Sequence, residues 1–192
     1  MDIVERAVQV LQRDGIIVYP TETVYGLGAD ALSEEAVLRV YEVKRRVLSQ
    51  PMSVAVSDVD MLWAIAHIDD DSEAFVRRFL PGAVTVVLPA TSCIPAMLTG
   101  GTGLIGVRMP DHEIALSIIA ELDAPITATS ANITGKRAPV RPEEVTVVYD
   151  LMVDGGVLPG TPSTVVDLVH RKIIRPGALV DDVARFLSAM DS

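Results

Sequence analysis

The chain has 192 residues, 49% of them hydrophobic and only 4% aromatic, with a formal net charge of −10. That length suits one sizeable domain, residues 1–192, with a core of Val, Ile, Leu, Ala and Met. The acidic balance argues against a protein that coats nucleic acid, and one cysteine (Cys93) with three scattered histidines (His67, His112, His170) argues against an internal disulfide or a soft-metal site.

Apolar spacing alternates between two periods along the chain. Ile3, Val4, Ala7, Val8 and Leu11 recur at three and four, which predicts a helix from Asp2 to about Arg13, stopped by Gly15. Ile16 to Tyr19 follows as a buried strand. Ser33 is placed to cap a second helix, with Glu34 and Glu35 in its first turn and Lys44, Arg45 and Arg46 at its end. Met52 to Val56 predicts a strand, Asp58 to Ala66 a helix, and Asp71 to Leu80 another helix ended by Pro81-Gly82. Val84 to Leu88 and Leu104 to Val107 read as strands. Between them, Thr91 to Gly103 is the candidate mobile loop. A helix from His112 to Leu122 leads into strand Ile126 to Ala128. Pro142 predicts the first turn of a helix through Val148. Strands Leu151 to Val153, Thr164 to Val169 and Lys172 to Ile174 follow, then a last helix from Asp181 to Ala189. The alternation predicts an α/β fold, a mixed sheet with flanking helices. No apolar run reaches the roughly 18 residues of a membrane span, and the acidic start is unlike a signal peptide, so the expected location is cytoplasmic with no membrane partner.

Four stretches end in hydroxyl residues, glycine or a lone cation: Tyr19 to Gly28, Gly106 to Pro110, Thr127 to Asn132, and Ser163 to Asp167. Residues at strand ends of α/β proteins gather around ligands. Thr21 and Thr23 offer hydroxyls, and Gly26 and Gly28 let the backbone come close. Neither a P-loop nor a dinucleotide fingerprint is present. Lys44 and Arg46 suit a phosphate clamp, although the helix dipole alone also favours cations there. Arg108 closes an apolar strand and must face a carboxylate: Glu22, Asp111 or a ligand. The Thr129-Ser130-Ala131-Asn132 loop and Ser163 offer small side chains for phosphate or sugar oxygens, and Arg175 ends another strand. No nucleophile stands beside a base, so the chemistry expected is positioning and charge neutralisation, as at a nucleotide phosphate.

Seven ordered motifs carry a resemblance. They are Pro20 to Gly28, Lys44-x-Arg46, Pro81-Gly82-Ala83-Val84-Thr85, Val107-Arg108-Met109-Pro110-x-His112, Ser130-Ala131-Asn132-x-x-Gly135, Ser163 to Asp167 and Arg175-Pro176-Gly177. Together they resemble the YrdC-like family of threonylcarbamoyl-AMP synthases. The resemblance implies a twisted open sheet with a large concave cleft. It implies conversion of L-threonine, bicarbonate or CO2, and ATP into L-threonylcarbamoyl-AMP and pyrophosphate. A separate transferase complex would then place the group on tRNA, and direct tRNA contact is disfavoured by the net charge.

By motif position, Thr21, Arg108, Ala128 and Ser163 are implied at the threonine. Lys44, Arg46, Leu104, Ser130, Asn132 and Arg175 are implied at ATP, with Lys44, Arg46 and Arg108 carrying the catalysis. Mg²⁺ is implied with the nucleotide, and no metal ligand is expected from protein side chains. The sequence departs from the pattern at Pro51-Met52-Ser53-Val54-Ala55, where many members carry a histidine, and at Ala83. Longer relatives carry a further C-terminal domain, which a chain of this length is not expected to hold. Alternatives are an RNA-binding module of the same fold, a carbamoyl-adenylate carrier like that of hydrogenase-maturation proteins, and a paralogue with another acyl substrate.

Overall fold

The computed structural model describes residues 1–190. Four of its helices open on capping side chains, Ser33 among them as expected. Asp2 and Glu5 form a reciprocal capping box on α1 (Ile3–Leu11). The chain then forms β1 (Ile17–Tyr19) and β2 (Gly26–Gly28). Ser33 accepts from the Ala36 N–H to open α2 (Glu34–Val43). After β3 (Val54–Ala55), Asp58 and Asp69 cap α3 (Val59–Ile65) and α4 (Asp70–Phe79) in the same way. β4 (Val84–Pro89), β5 (Leu104–Arg108) and α5 (Glu113–Leu122) follow, then β6 (Ile126–Thr127) and β7 (Thr129–Ser130). β8 (Leu151–Met152), β9 (Thr164–Asp167), β10 (Lys172–Arg175) and α6 (Val180–Met190) complete the order.

Two local expectations change. The helix from Pro142 to Val148 is only a 3-10 turn, Pro142–Glu144. It stops because Val145 is extended and the β-branched run Val145-Thr146-Val147-Val148 has low helix propensity. The segment from Thr91 to Gly103 is not bare loop: it contains a 3-10 turn, Ala96–Thr99, with Ile94 and Leu98 buried. The Tyr41 hydroxyl also donates to the Met97 carbonyl at 2.8 Å, tying that turn to α2.

Among the described residues the strands divide into two mixed sheets rather than one. The first runs β7-β2-β1-β8 and the second β10-β9-β4-β5-β3-β6. In the larger sheet Val54, Val84, Val86, Leu88, Ile105, Val107 and Val166 join the main core, packed with buried residues of α2, α4 and α6. A smaller core holds α1 against α5 and β1 through Ala7, Leu11, Ile17, Ala115, Ile118 and Ile119. Burying each such side chain contributes roughly 1.5–3 kcal/mol, so the sheets are rigid supports for what projects from their ends.

The chain crosses between the sheets at one residue. β6 pairs with β3 in the larger sheet, and β7 pairs with β2 in the smaller one, with only Ala128 between them. Thr127 secures the crossing: its Oγ1 donates to the Leu27 carbonyl at 2.8 Å and accepts from the Ala29 N–H at 3.0 Å. No helix among the described residues is long and apolar enough to cross a membrane.

Candidate active site

A cavity of about 320 Å³ opens at this crossing. Ala128, Thr129 and Ser130 line it from the chain that changes sheets. Thr23 and Val24 line it from the β1–β2 connection, and Ser53 from the entry to β3. Strand pairing sets the remaining wall. Val86 lies opposite Val107, which puts Thr85 and Arg108 across from one another at the neighbouring position. Thr85 in turn pairs with Val165 of β9, and Val165 with Arg175 of β10.

Three cations share this wall: Arg46, Arg108 and Arg175. Among the described residues that line it there is no Asp, Glu, His or Cys. In a chain of net charge −10 this is a local inversion of sign. Arg108 is 8% exposed, so its charge needs partners. Its Nη2 donates to Glu22 and its Nη1 to Thr23 Oγ1 at 3.3 Å. Glu22 sits behind the arginine and lines a neighbouring cavity with Asp111 and Arg78. Arg175 Nη2 donates to the Ser163 carbonyl at 2.8 Å and to Ser163 Oγ at 3.2 Å. Local desolvation, then the charge of Arg108, hold Arg175 below the usual arginine range. Arg46 bonds the carbonyls of Gln50 and Pro51, which folds residues 47–50 back onto the end of α2.

The structure thus brings Arg46, Arg108, Ala128, Ser130, Ser163 and Arg175 to one cavity. It does not bring Thr21, Lys44, Asn132 or Leu104 to the wall. Thr21 is 2% exposed and bonded within its own turn, donating to the Val24 carbonyl at 2.7 Å and accepting from the Thr23 N–H at 3.2 Å. It is Thr23 that faces the space. Lys44 is 1% exposed, and its ammonium donates to the carbonyls of Ser130 and, at 2.8 Å, Asn132. Burial, then the charge of Arg46, pull Lys44 from 10.5 down to about 8. Asn132 donates to the carbonyls of Ile133 and Lys136, bracing the loop that Lys44 holds. Leu104 begins β5 and Arg108 ends it, a separation of roughly 13 Å along a strand.

Thr23, offered with Thr21 as a hydroxyl, is the one of the pair that reaches the cavity; Ser53 and Thr85, also cavity residues, were assigned no ligand role from the sequence. A period-two count along Val84 to Leu88 would have found one signal. Val84, Val86 and Leu88 are buried apolar residues, so Thr85 belongs to the opposite face.

Residues 9–177 match the Sua5/YciO/YrdC family model, whose description reads "Telomere recombination". A threonylcarbamoyl-AMP synthase of Pyrococcus abyssi is 41% identical over 176 residues, 87% of this chain and 52% of that protein. One from Xanthomonas euvesicatoria is 36% identical over 181 residues, 89% of this chain and 96% of that protein. The crystal structure of P. abyssi Sua5 complexed with L-threonine superposes with a TM-score of 0.91 at 37% identity, covering 95% of this chain and 56% of that one. The chain therefore spans about half the length of the Pyrococcus protein and nearly all of the Xanthomonas one. With the family model covering residues 9–177, and the fold superposing on a solved relative at 37% identity with a TM-score of 0.91, the chain belongs to the Sua5/YciO/YrdC family.

Proposed function

We propose that residues 1–192 act as one YrdC-like domain with L-threonylcarbamoyladenylate synthase activity. The substrates are L-threonine, bicarbonate or CO2, and ATP; the products are L-threonylcarbamoyl-AMP and pyrophosphate. This makes it a nucleotidyltransferase that supplies a tRNA threonylcarbamoyltransferase complex in the cytoplasm. The observation that carries the reading is the cavity wall: Arg46, Arg108 and Arg175 beside hydroxyls of Thr23, Ser53, Thr85, Thr129, Ser130 and Ser163, with no carboxylate among the described lining residues. Such a wall suits a substrate pair that is anionic throughout.

The chemistry needs little from the protein beyond this. The threonine amine adds to the carbon of CO2 and releases a proton to solvent, which leaves a carbamate anion. A carbamate oxygen attacks the α-phosphorus of ATP, and the bond to the bridging oxygen breaks so that pyrophosphate leaves with the electron pair. The nucleophile is already charged, so a wall without a general base is sufficient. Arg108 takes a planar carboxyl group in its fork. Arg46, Arg175 and the Ser130 segment offset charge on the phosphates. Lys44, Thr21 and Asn132 support this wall from behind through the hydrogen bonds described above.

Among the described residues no cluster of His, Cys, Asp and Glu is arranged to hold a metal, and the cavity wall offers no carboxylate. Mg²⁺ would arrive with the phosphates of ATP as part of the substrate, and no step is assigned to it. Discrimination of threonine from serine rests on one methyl group and is worth about 1–3 kcal/mol.

Pyrophosphate release measured with ATP, bicarbonate and each of the twenty amino acids tests this reading. The expected result is a signal with L-threonine that disappears when bicarbonate is removed. A signal independent of both, or none with any amino acid, rejects it.

A further inference from the structure

Thr85 and Ser163 hold their hydroxyls 2.9 Å apart on the cavity wall. Both are buried, at 3% and 5% exposure. A threonine buried in a strand ordinarily satisfies its hydroxyl on a nearby carbonyl. Here Ser163 Oγ is the only partner of Thr85 Oγ1 among the described residues.

The proton count is decisive. Ser163 Oγ accepts from Arg175 Nη2 at 3.2 Å. The two hydroxyls carry two protons, and one of them fills the bond between them. If Ser163 donates to Thr85, the Thr85 proton is left over. If Thr85 donates, the Ser163 proton is left over. In either arrangement one O–H remains at the wall, and the guanidinium of Arg175 polarises the pair that carries it.

The surroundings point that donor at an anion. Thr85 lies across β4 and β5 from Arg108, whose Nη1 is on Thr23. Gly106, next but one before Arg108, lets Ser53 and Thr85 come together on this wall; a Cβ there would stand 2.4 Å from Ser53 Oγ and 3.4 Å from Thr85 Cγ2. Thr85 and Ser163 line the same cavity as Arg108 and Arg175, so the spare donor belongs to a wall that carries two guanidinium groups.

We propose that Thr85, paired with Ser163, supplies a hydroxyl hydrogen bond to a planar CO2⁻ group held by Arg108. This deepens the synthase reading and rests on it for the identity of that group. Two sources share the chemistry: the carboxylate of the amino acid, and the carbamate made from its amine.

The experiment uses the full chain carrying Thr85→Val, which keeps shape and β-branching but lacks the hydroxyl, and Thr85→Ser, which keeps the hydroxyl. Threonine binding without bicarbonate and turnover with bicarbonate are measured separately. The expected loss for Thr85→Val is about 10- to 100-fold, the scale of one hydrogen bond to a charged group. A loss in binding assigns the donor to the amino-acid carboxylate. A loss confined to turnover assigns it to the carbamate. Thr85→Ser is expected to recover most of the wild-type value. Because Ser163 keeps a proton of its own when Thr85 is replaced, Thr85→Val with Ser163→Ala is expected to cost more than either single change.

Unchanged binding and turnover in Thr85→Val overturns the proposal. If the wild type binds no threonine, the synthase reading fails separately. The donor is then read by thermal unfolding in a bicarbonate titration, each protein against its own baseline. Smaller stabilisation of Thr85→Val than of wild type supports the proposal, and equal stabilisation rejects it.

Discussion

Arg108 is held from behind by Glu22: the carboxylate bonds Nη2 from the side of the neighbouring cavity, while the guanidinium itself lines the cationic one. Side-chain exposures of 9% and 17% make this a largely buried pair. Removing either partner strands the other charge. Glu22→Gln keeps the shape and an acceptor oxygen, so it is expected to cost about 1–3 kcal/mol of stability, less than complete loss of a partner. It also removes the charge that offsets Arg108, so threonine affinity is expected to hold or tighten. Arg108→Lys keeps the charge but loses the fork, and kcat/KM for threonine is expected to fall about 100-fold or more. Denaturant unfolding and steady-state kinetics on the two variants separate these effects. Equal loss of activity in both would refute the assignment of opposite roles.

Lys44 gives a stability prediction with a definite sign. Its folded-state pKa of about 8 lies below its ordinary 10.5, chiefly through burial. Below about pH 8 the lysine is charged in both states, and folding bears the whole penalty of burying it. Between about 8 and 10.5 the unfolded chain binds more protons than the folded one, so this group makes stability rise with pH. The rise is on the order of 3 kcal/mol across the window. Lys44→Met removes that rise. It also leaves the Asn132 carbonyl without its donor and the Ser130 carbonyl with the Asn132 N–H alone, so faster amide exchange across residues 130–134 and lower turnover are expected at pH 7. Urea unfolding of both proteins at several pH values checks the first claim; parallel pH profiles would contradict it.

The cationic wall predicts that inorganic pyrophosphate binds without any other substrate. Binding to the folded state alone raises stability by RT ln(1 + [L]/Kd), about 2.7 kcal/mol at a hundred times Kd. Arg46→Ala and Arg175→Ala are each expected to weaken this stabilisation, and added salt to weaken it in the wild type. Arg175 also holds Ser163 through two bonds, so its variant is expected to disturb threonine binding as well, whereas Arg46→Ala leaves it nearly intact. Thermal unfolding with each ligand reads both arms. A pyrophosphate shift unaffected by either change would remove the phosphates from this wall.

Apolar periods and the Ser33 cap made most elements legible, because both act through near neighbours that sequence spacing alone specifies. Arg108 was legible for a similar reason, since a cation ending an apolar strand must find a carboxylate, and it finds Glu22. What the sequence hid is non-local. Gly26 to Gly28 is a poor strand on propensity, yet it is β2, in the middle of the smaller sheet, because the Tyr19 ring lies where a side chain would go: a Cβ on Gly26 would come within 2.7 Å of Tyr19 Cζ. Lys44 looked like a ligand because its helix ends near the cavity. Only the placement of the Ser130 and Asn132 carbonyls turns its ammonium away. The change of sheet at Ala128 is a property of pairing partners far off in the chain, Gly26 with Ser130 and Val54 with Thr127, which no local period records.

Gly106 stands directly against Ser53, a residue of the cavity wall. A Cβ there would stand 2.4 Å from Ser53 Oγ and 3.1 Å from Ser53 Cβ. β3 and β5 are adjacent and parallel, with Val54 opposite Val107, so neither strand can retreat without breaking the sheet that carries Arg108. Gly106→Ala is therefore expected to cost about 1–3 kcal/mol by overpacking. The cost in activity is expected to exceed the cost in stability, because strain at this point moves Ser53, Thr85 and Arg108 together. Ser53→Ala removes the nearest atom. The double variant is expected to recover part of the stability while the 3.1 Å contact keeps it short of wild type. Unfolding free energies for the two singles and the double give the coupling directly. Additive losses would mean that Gly106 and Ser53 do not share this contact, and that the wall is looser than the close approach of the two strands requires.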